Sequence, residues 1–124
     1  LYTSLKWIYE IGIETIWNVE QEHRKKLLKI LREYDFIKIV GADFNMPYVG
    51  IVSCVIEGIS SDSVENLFND RDISIRSGLQ CAPLAHRFMG TYPAGTVRFS
   101  VGYFSTDEDF EQLRAVLDYI EDNI

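Results

Sequence analysis

Two residues in this chain offer chemistry beyond packing. The first is a cysteine in the run Ile75-Arg76-Ser77-Gly78-Leu79-Gln80-Cys81-Ala82-Pro83-Leu84-Ala85-His86-Arg87. Cys81 follows a strand end and Gly78, and Pro83 suits the first turn of a short helix from about Pro83 to Phe88. A thiol just ahead of a helix N-terminus feels the positive end of the dipole, and the guanidinium of Arg76 adds to it. Both favour the thiolate, which is the nucleophilic form. Loops at strand ends are also where function concentrates. On these residues alone Cys81 stays open between a nucleophile and the inert thiol that most lone cysteines are. The second is Arg98, set inside an apolar strand between Val97 and Phe99. Alternation turns it to the face opposite those two. It is either a bidentate carboxylate clamp in a cleft or an edge-strand arginine snorkelling to water.

The other reactive residue types read as structural. Cys54 lies inside a strongly apolar strand and reads as a small buried hydrophobe. His23 reads as a surface residue of a long helix, and His86 as a helix residue after the loop. The two histidines are far apart, no His-Glu-x-x-His occurs, and no cluster has metal-ligand spacing, so no metal site is expected. The eight glycines make neither a GxGxxG nor a phosphate-binding P-loop. Two cysteines give no disulfide framework.

The elements that must carry Cys81 and Arg98 follow from periodicity. Leu1, Leu5 and Ile8 share a helical face that Gly12 stops, and this reads as the end of a helix whose beginning is missing. A second helix spans about Glu14 to Tyr34, apolar at both ends and polar from Glu20 to Lys26. That middle is either a solvated stretch or a connector packed at each end against different bodies. Strands follow at Phe36–Val40, at Val49–Glu57 (apolar enough for both faces to be covered), at Ile73–Arg76 and at Thr96–Val101. A helix capped by Ser60 or Ser61 carries Val64, Leu67 and Phe68. The last helix opens with a capping box at Ser105 or Thr106 and buries Phe110, Leu113, Leu117, Ile120 and Ile124. The sum is an α+β fold, a small, mostly antiparallel sheet covered by helices on one face, as one domain over residues 1–124.

Composition limits the partners. The chain has 124 residues, 47% apolar and 25% charged, which describes a globular domain. Its wholly apolar runs are too short for a transmembrane helix, and a net charge of −7 argues against a nucleic-acid groove or a basic membrane face. The acidity is local. Residues 106–124 hold seven acids and one base, so the rest of the chain is near neutral. Those acids read as the solvated face of the last helix, favourably placed near its N-terminus. With no signal peptide or disulfide framework, the expected setting is reducing and cytoplasmic.

The run Arg76-Ser77-Gly78-Leu79-Gln80-Cys81-Ala82-Pro83, with Thr96-Val97-Arg98-Phe99-Ser100 downstream, resembles the C-terminal region of cysteine desulfurases. These are class V aminotransferase relatives, fold-type I enzymes that use pyridoxal phosphate. The Arg-Ser-Gly-x-x-Cys-Ala form is similar to the branch that assembles sulfur for iron–sulfur clusters under stress. The Cys-Ala-Pro-Leu-Ala-His run and the later Tyr-Phe-Ser-Thr-Asp-Glu-Asp also fit. The likeness is weak before Val49 and strong from Ile73 to Phe110.

The resemblance implies that Cys81 takes sulfur from L-cysteine as a persulfide, leaving alanine. It implies that Arg98 holds the substrate carboxylate, with Arg76 lining the same pocket and helping keep Cys81 ionised. It implies a homodimer at full length and a sulfur-acceptor protein as partner. The family's cofactor lysine follows a histidine in a separate large domain, and no His-Lys pair occurs here. None of Lys6, Lys25, Lys26, Lys29 and Lys38 looks like a Schiff-base lysine, so no residue of this chain is expected to bind the cofactor. The resemblance therefore implies the small C-terminal domain alone, able to fold but lacking the cofactor half. Close alternatives are a selenocysteine lyase or a cysteine-sulfinate desulfinase, which use the same arginine. From other classes, a cofactor-free sulfur carrier docking through its acidic helix and a Cys-His thiol hydrolase stay open. The hydrolase needs a histidine within hydrogen-bond reach of Cys81.

Overall fold

The computed structural model describes residues 1–41 and 46–124. In chain order the elements are α1 (Tyr2–Ile11), α2 (Ile13–Leu31), β1 (Ile37–Val40), β2 (Ile51–Ile56), α3 (Ser61–Asn69), β3 (Arg76–Gly78), α4 (Pro83–Met89), β4 (Thr96–Ser100) and α5 (Asp107–Asn123). The four strands form one antiparallel sheet in the order β1-β2-β4-β3. The α+β expectation holds.

Register sorts the strand residues by face. Ile37 opposes Ile56, Cys54 opposes Val97 and Val52 opposes Phe99. All six are buried against α2, α3 and α5. Phe68 from α3 lies at the centre, fully buried, with its ring 5.5 Å from that of Phe99. Burying side chains of this size contributes about 1.5–3 kcal/mol each. From α5 come Phe110, Leu113, Val116, Leu117 and Ile120. Ile124, expected on that stripe, is 58% exposed because the helix ends at Asn123.

The opposite face is not covered as the apolar β2 sequence suggested. Ile51 is 43% exposed, and Ser53 and Val55 are half-buried. Burial in β2 alternates, as it does in a strand with one face on the core. The third strand is also displaced from its expected place. Ile75 is buried, but the ladder begins at Arg76 and runs to Gly78. The alternation of Ile73 and Ile75 thus marks packing against the core rather than pairing.

Capping follows the sequence closely. Gly12, at φ 92°, ends α1 and donates its N–H to the carbonyl of Ile8 at 2.8 Å. Ser60 caps α3 by accepting from the Ser63 N–H. Thr106, not Ser105, caps α5, and Asp109 completes the box by accepting from the Thr106 N–H at 2.7 Å. Ser105 instead accepts from the Gly102 N–H at 3.0 Å. The acids of α5 are exposed, as expected.

The polar middle of α2 is a fastening rather than a solvated stretch. Glu20 accepts from the Gly50 N–H at 2.5 Å, and Gln21 donates to the Tyr48 carbonyl at 2.6 Å. His23 donates through Nδ1 to the Gly102 carbonyl at 2.7 Å and is half-buried, not a free surface residue. These bonds hold the approach to β2 and the exit from β4. Glycine is required at position 50, where a Cβ would lie 2.3 Å from the Val101 carbonyl oxygen. By contrast α1 buries nothing. Trp7 attaches it to the loop after β4, its ring 5.1 Å from Tyr103 and 5.3 Å from Phe104.

Candidate active site

The face of the sheet turned away from α2, α3 and α5 carries a row of directly paired residues. Val40 opposes Ser53, Ser53 opposes Arg98, and Arg98 opposes Arg76. The alternation argument for Arg98 therefore holds: it points to the side without the core. Arg98 is half-buried and Arg76 is exposed. Neither forms an ion pair among the described residues.

Helix α4 stands over this same face. Together they enclose a cleft of about 400 Å³ lined by Val40, Ser53, Thr96 and Arg98 from the strands, Gln80 and Ala82 from the loop, and His86 and Met89 from α4. Arg98 is thus a cleft arginine rather than one reaching into open water. Arg76 does not line the cleft; it lies beside Arg98 on the edge strand.

The loop bearing Cys81 springs from the end of β3, and that end is firmly held. Glu65 on α3 accepts from the Ser77 N–H at 3.1 Å and from the Ser77 hydroxyl. Gly95 packs so closely that a Cβ there would lie 2.1 Å from the Gly78 carbonyl oxygen. Beyond Gly78, at φ 89°, the chain takes left-handed conformations at Gln80 (φ 51°) and Cys81 (φ 61°). Side-chain-bearing residues adopt that region at a cost of order 1–3 kcal/mol each, and such residues cluster at functional sites. Ala82 then precedes α4, with Pro83 in its first turn as expected.

Cys81 is exposed. It does not line the cleft itself, whereas its two neighbours do. Cys54 is the opposite case. It is fully buried, and burial pushes its thiol up to about 12, which keeps it protonated and unreactive.

Several cleft residues were not legible as such in the sequence. His86 lines the cleft, and its Nδ1 lies 2.7 Å from the Thr91 hydroxyl, so it is more than a helix residue after the loop. Ser53 and Thr96 enter through register with β4 and β3. The one signal pointing to them was Arg98 itself, since its cross-strand and same-face neighbours must share its cleft.

The lysines offer nothing to an aldehyde cofactor. All five are exposed, whereas a Schiff-base lysine needs a desolvated pocket. The residues of this chain do not fit the role of holding pyridoxal phosphate covalently. Among the described residues, no group of three His, Cys, Asp or Glu comes together as a metal site. Nor, among the described residues, is any helix long and apolar enough to cross a membrane.

Comparison with known proteins places this arrangement. A probable cysteine desulfurase of Aeropyrum pernix is 34% identical over 97% of this chain, which covers 30% of that protein. A cysteine desulfurase of Synechococcus elongatus is 29% identical over 98% of this chain, covering 19% of its length. The apo structure of a cysteine desulfurase from Thermococcus onnurineus superposes with a TM-score of 0.87 at 25% identity, over 96% of this chain and 29% of that one. The chain thus spans less than a third of the length of these relatives. The aminotransferase class-V family profile matches residues 1–113. The chain belongs to the aminotransferase class-V family.

Proposed function

We propose that this chain is the small C-terminal domain of a pyridoxal-phosphate-dependent cysteine desulfurase, supplying the nucleophile and the carboxylate site while a large domain holds the cofactor. The observation that carries this reading is the placement of Arg98 in a cleft whose wall is made by both neighbours of Cys81.

The geometry supports the following roles, which the family resemblance suggests. Arg98 presents a guanidinium whose fork matches a carboxylate in two parallel hydrogen bonds, and no described acid competes for it. Arg76, beside it, raises the positive potential over the same face. Cys81 sits on an exposed turn at the cleft's edge, where a substrate sulfur can reach it. The thiolate of Cys81 attacks the sulfur of L-cysteine. An S–S bond forms, the substrate C–S bond breaks, and its electron pair stays with carbon, which takes up a proton. L-Alanine and a Cys81 persulfide result, with no external oxidant. Covalent capture by a sulfur nucleophile is the physical logic of the step.

The exposure of Cys81 also suits the next event, transfer of the outer sulfur to an acceptor protein in iron–sulfur cluster assembly. The full-length protein is read as a cytoplasmic homodimer.

The test is Cys81→Ala in the full-length protein. Sulfur transfer should be abolished, while the cofactor absorbance stays that of the wild type. Undiminished sulfur transfer would rule out the role given to Cys81.

A further inference from the structure

Helix α3 grips the sheet at the strand that leads to Cys81. One stripe of the helix is core. Val64 and Phe68 are fully buried, and the Phe68 ring packs 5.5 Å from that of Phe99, the neighbour of Arg98 in β4. The adjoining stripe is polar and reaches the backbone on both sides of the β3–β4 pair. Ser61 donates its hydroxyl to the Ala94 carbonyl at 2.7 Å, just ahead of β4. One helical turn further on, a single carboxylate oxygen of Glu65 accepts from the Ser77 N–H at 3.1 Å and from the Ser77 hydroxyl. Side chains four residues apart share a helix face, so one rigid element fastens both strands.

Ser77 is the joint between the two halves of the site. On one side of it, Arg76 opposes Arg98 in the ladder. On the other side the chain turns toward the nucleophile. There Gln80 and Cys81 keep left-handed angles, and the Ala82 N–H closes back on the Leu79 carbonyl at 2.9 Å. Residues with side chains persist in that conformation only where their surroundings over-determine it. β3 itself is an edge strand from Arg76 to Gly78, paired with β4 alone. The Ser77 N–H faces Glu65 instead of a further strand, so Glu65 fixes the side of β3 that the ladder leaves open.

We infer that Glu65 is a positioning residue for the desulfurase reaction: by accepting from both Ser77 donors, it sets where the Cys81 turn leaves β3. It thereby sets where the nucleophile stands relative to a substrate clamped by Arg98. This rests on the reading of the chain as the nucleophile-bearing part of a cysteine desulfurase. Arg98 does not depend on the Glu65 bonds, because β4 lies inside the sheet and Ser53 of β2 opposes Arg98 from its other side. Removing the acceptor therefore displaces the nucleophile and spares carboxylate binding. A misplacement of about 1 Å can cost about 10²-fold in rate.

The experiment compares Glu65→Leu with Glu65→Gln in the full-length, cofactor-loaded protein. Leucine removes the acceptor at similar size. Glutamine keeps an accepting oxygen on a side chain of the same length. Persulfide formation is followed through a single turnover with L-cysteine, and L-alanine affinity is measured by calorimetry. Glu65→Leu should form persulfide at least about tenfold more slowly, with L-alanine affinity within about twofold of the wild type. Glu65→Gln should recover the rate to within about threefold of the wild type. A Glu65→Leu rate within about twofold of the wild type overturns the assignment. So does a parallel loss of L-alanine affinity, which would mark Glu65 as merely structural. So does a Glu65→Gln variant as slow as Glu65→Leu, which would deny a role to the hydrogen bonds. Should Glu65→Leu fail to fold, Ser77→Ala carries the test, because it removes the hydroxyl donor alone. It should slow persulfide formation about threefold at unchanged L-alanine affinity, and an unchanged rate overturns the assignment.

Amide hydrogen exchange separates this assignment from the reading beneath it. Glu65→Leu should speed exchange at Ala82 about tenfold or more and leave Arg98 unchanged. A wild type that forms no persulfide, with Ala82 loosened in this way by Glu65→Leu, overturns the desulfurase reading and upholds Glu65 as the residue that places the Cys81 turn. A wild type that forms persulfide, with rate and exchange both indifferent to Glu65, upholds the reading and overturns the assignment.

Discussion

Arg76 and Arg98 stand directly opposite each other across the β3–β4 ladder. Like charges at such positions destabilise a sheet, and no described acid pairs with either of them. An anion on this face would offset the repulsion. Function, not folding, is the economical explanation for two arginines placed side by side.

That pairing makes Arg98→Leu informative. In the full-length protein the substitution should raise KM for L-cysteine about tenfold or more, because a charge-assisted bidentate contact is lost. Stability should change by no more than about 0.5 kcal/mol, since the substitution also removes a like-charge neighbour. Arg98→Lys should recover only part of the loss, because a single ammonium cannot reproduce the fork. Steady-state kinetics and urea midpoints check both halves; an unchanged KM would remove Arg98 from the carboxylate site.

The two thiols should separate cleanly by reactivity. Cys81 is exposed, whereas Cys54 is fully buried and its thiol is pushed up to about 12 by burial. Iodoacetamide should modify Cys81 in the native protein and reach Cys54 only after unfolding. Peptide mapping of the labelled chain decides this. Labelling of Cys54 under native conditions would show that β2 is not where the core places it.

Gly95 should not tolerate a side chain. Its φ is 78°, and a Cβ would lie 2.1 Å from the Gly78 carbonyl oxygen, which is backbone and cannot rotate away. Gly95→Ala should cost about 2 kcal/mol or more and move the start of the Cys81 loop. Chemical denaturation measures the cost. Faster amide exchange at Ser77 and Gly78 would report the displacement. A loss under about 0.5 kcal/mol would contradict the close contact.

Two ion pairs tie α2 and the segment that follows it to α5, and both should weaken in acid. Lys26 donates to Asp107 at 2.8 Å, and Arg114 makes two hydrogen bonds to Glu33. These bonds hold the Asp107 and Glu33 carboxyls below their ordinary values of 3.8 and 4.5. A carboxyl with a lowered folded pKa contributes stability above its ordinary pKa and loses it as pH falls through the folded one. The urea midpoint of the wild type should therefore drop below about pH 4.5 more steeply than that of the Glu33→Gln, Asp107→Asn double variant. Both pairs are exposed, so salt should narrow the difference. Parallel curves at low salt would contradict the pairing.

The sequence was most readable where one residue type answers one local demand. Gly12, Ser60, Thr106 with Asp109, and Pro83 mark helix ends as their chemistry requires. Arg98 was placed on the right face by alternation alone. What escaped reading depends on partners distant in the chain. Glu20, Gln21 and His23 stayed open between a solvated stretch and a connector because their acceptors and donors lie 27 to 79 residues away. β2 looked covered on both faces, because composition gives apolarity but not the position of α4 over only part of the sheet. The cleft itself needed register: Ser53 and Thr96 meet Arg98 only once β2, β3 and β4 are paired. His86 was overlooked for the same reason, since nothing local shows that α4 turns it toward a strand.

The central claim is that Cys81 receives the sulfur of L-cysteine. The most direct measurement is mass spectrometry of the full-length, cofactor-loaded protein after a single turnover with isotopically labelled L-cysteine. The account predicts one labelled sulfur atom added to the peptide containing Cys81, removable by a thiol reductant, and none on the peptide containing Cys54. Release of alanine with the Cys81 peptide unmodified, or with the label on another residue, would contradict it.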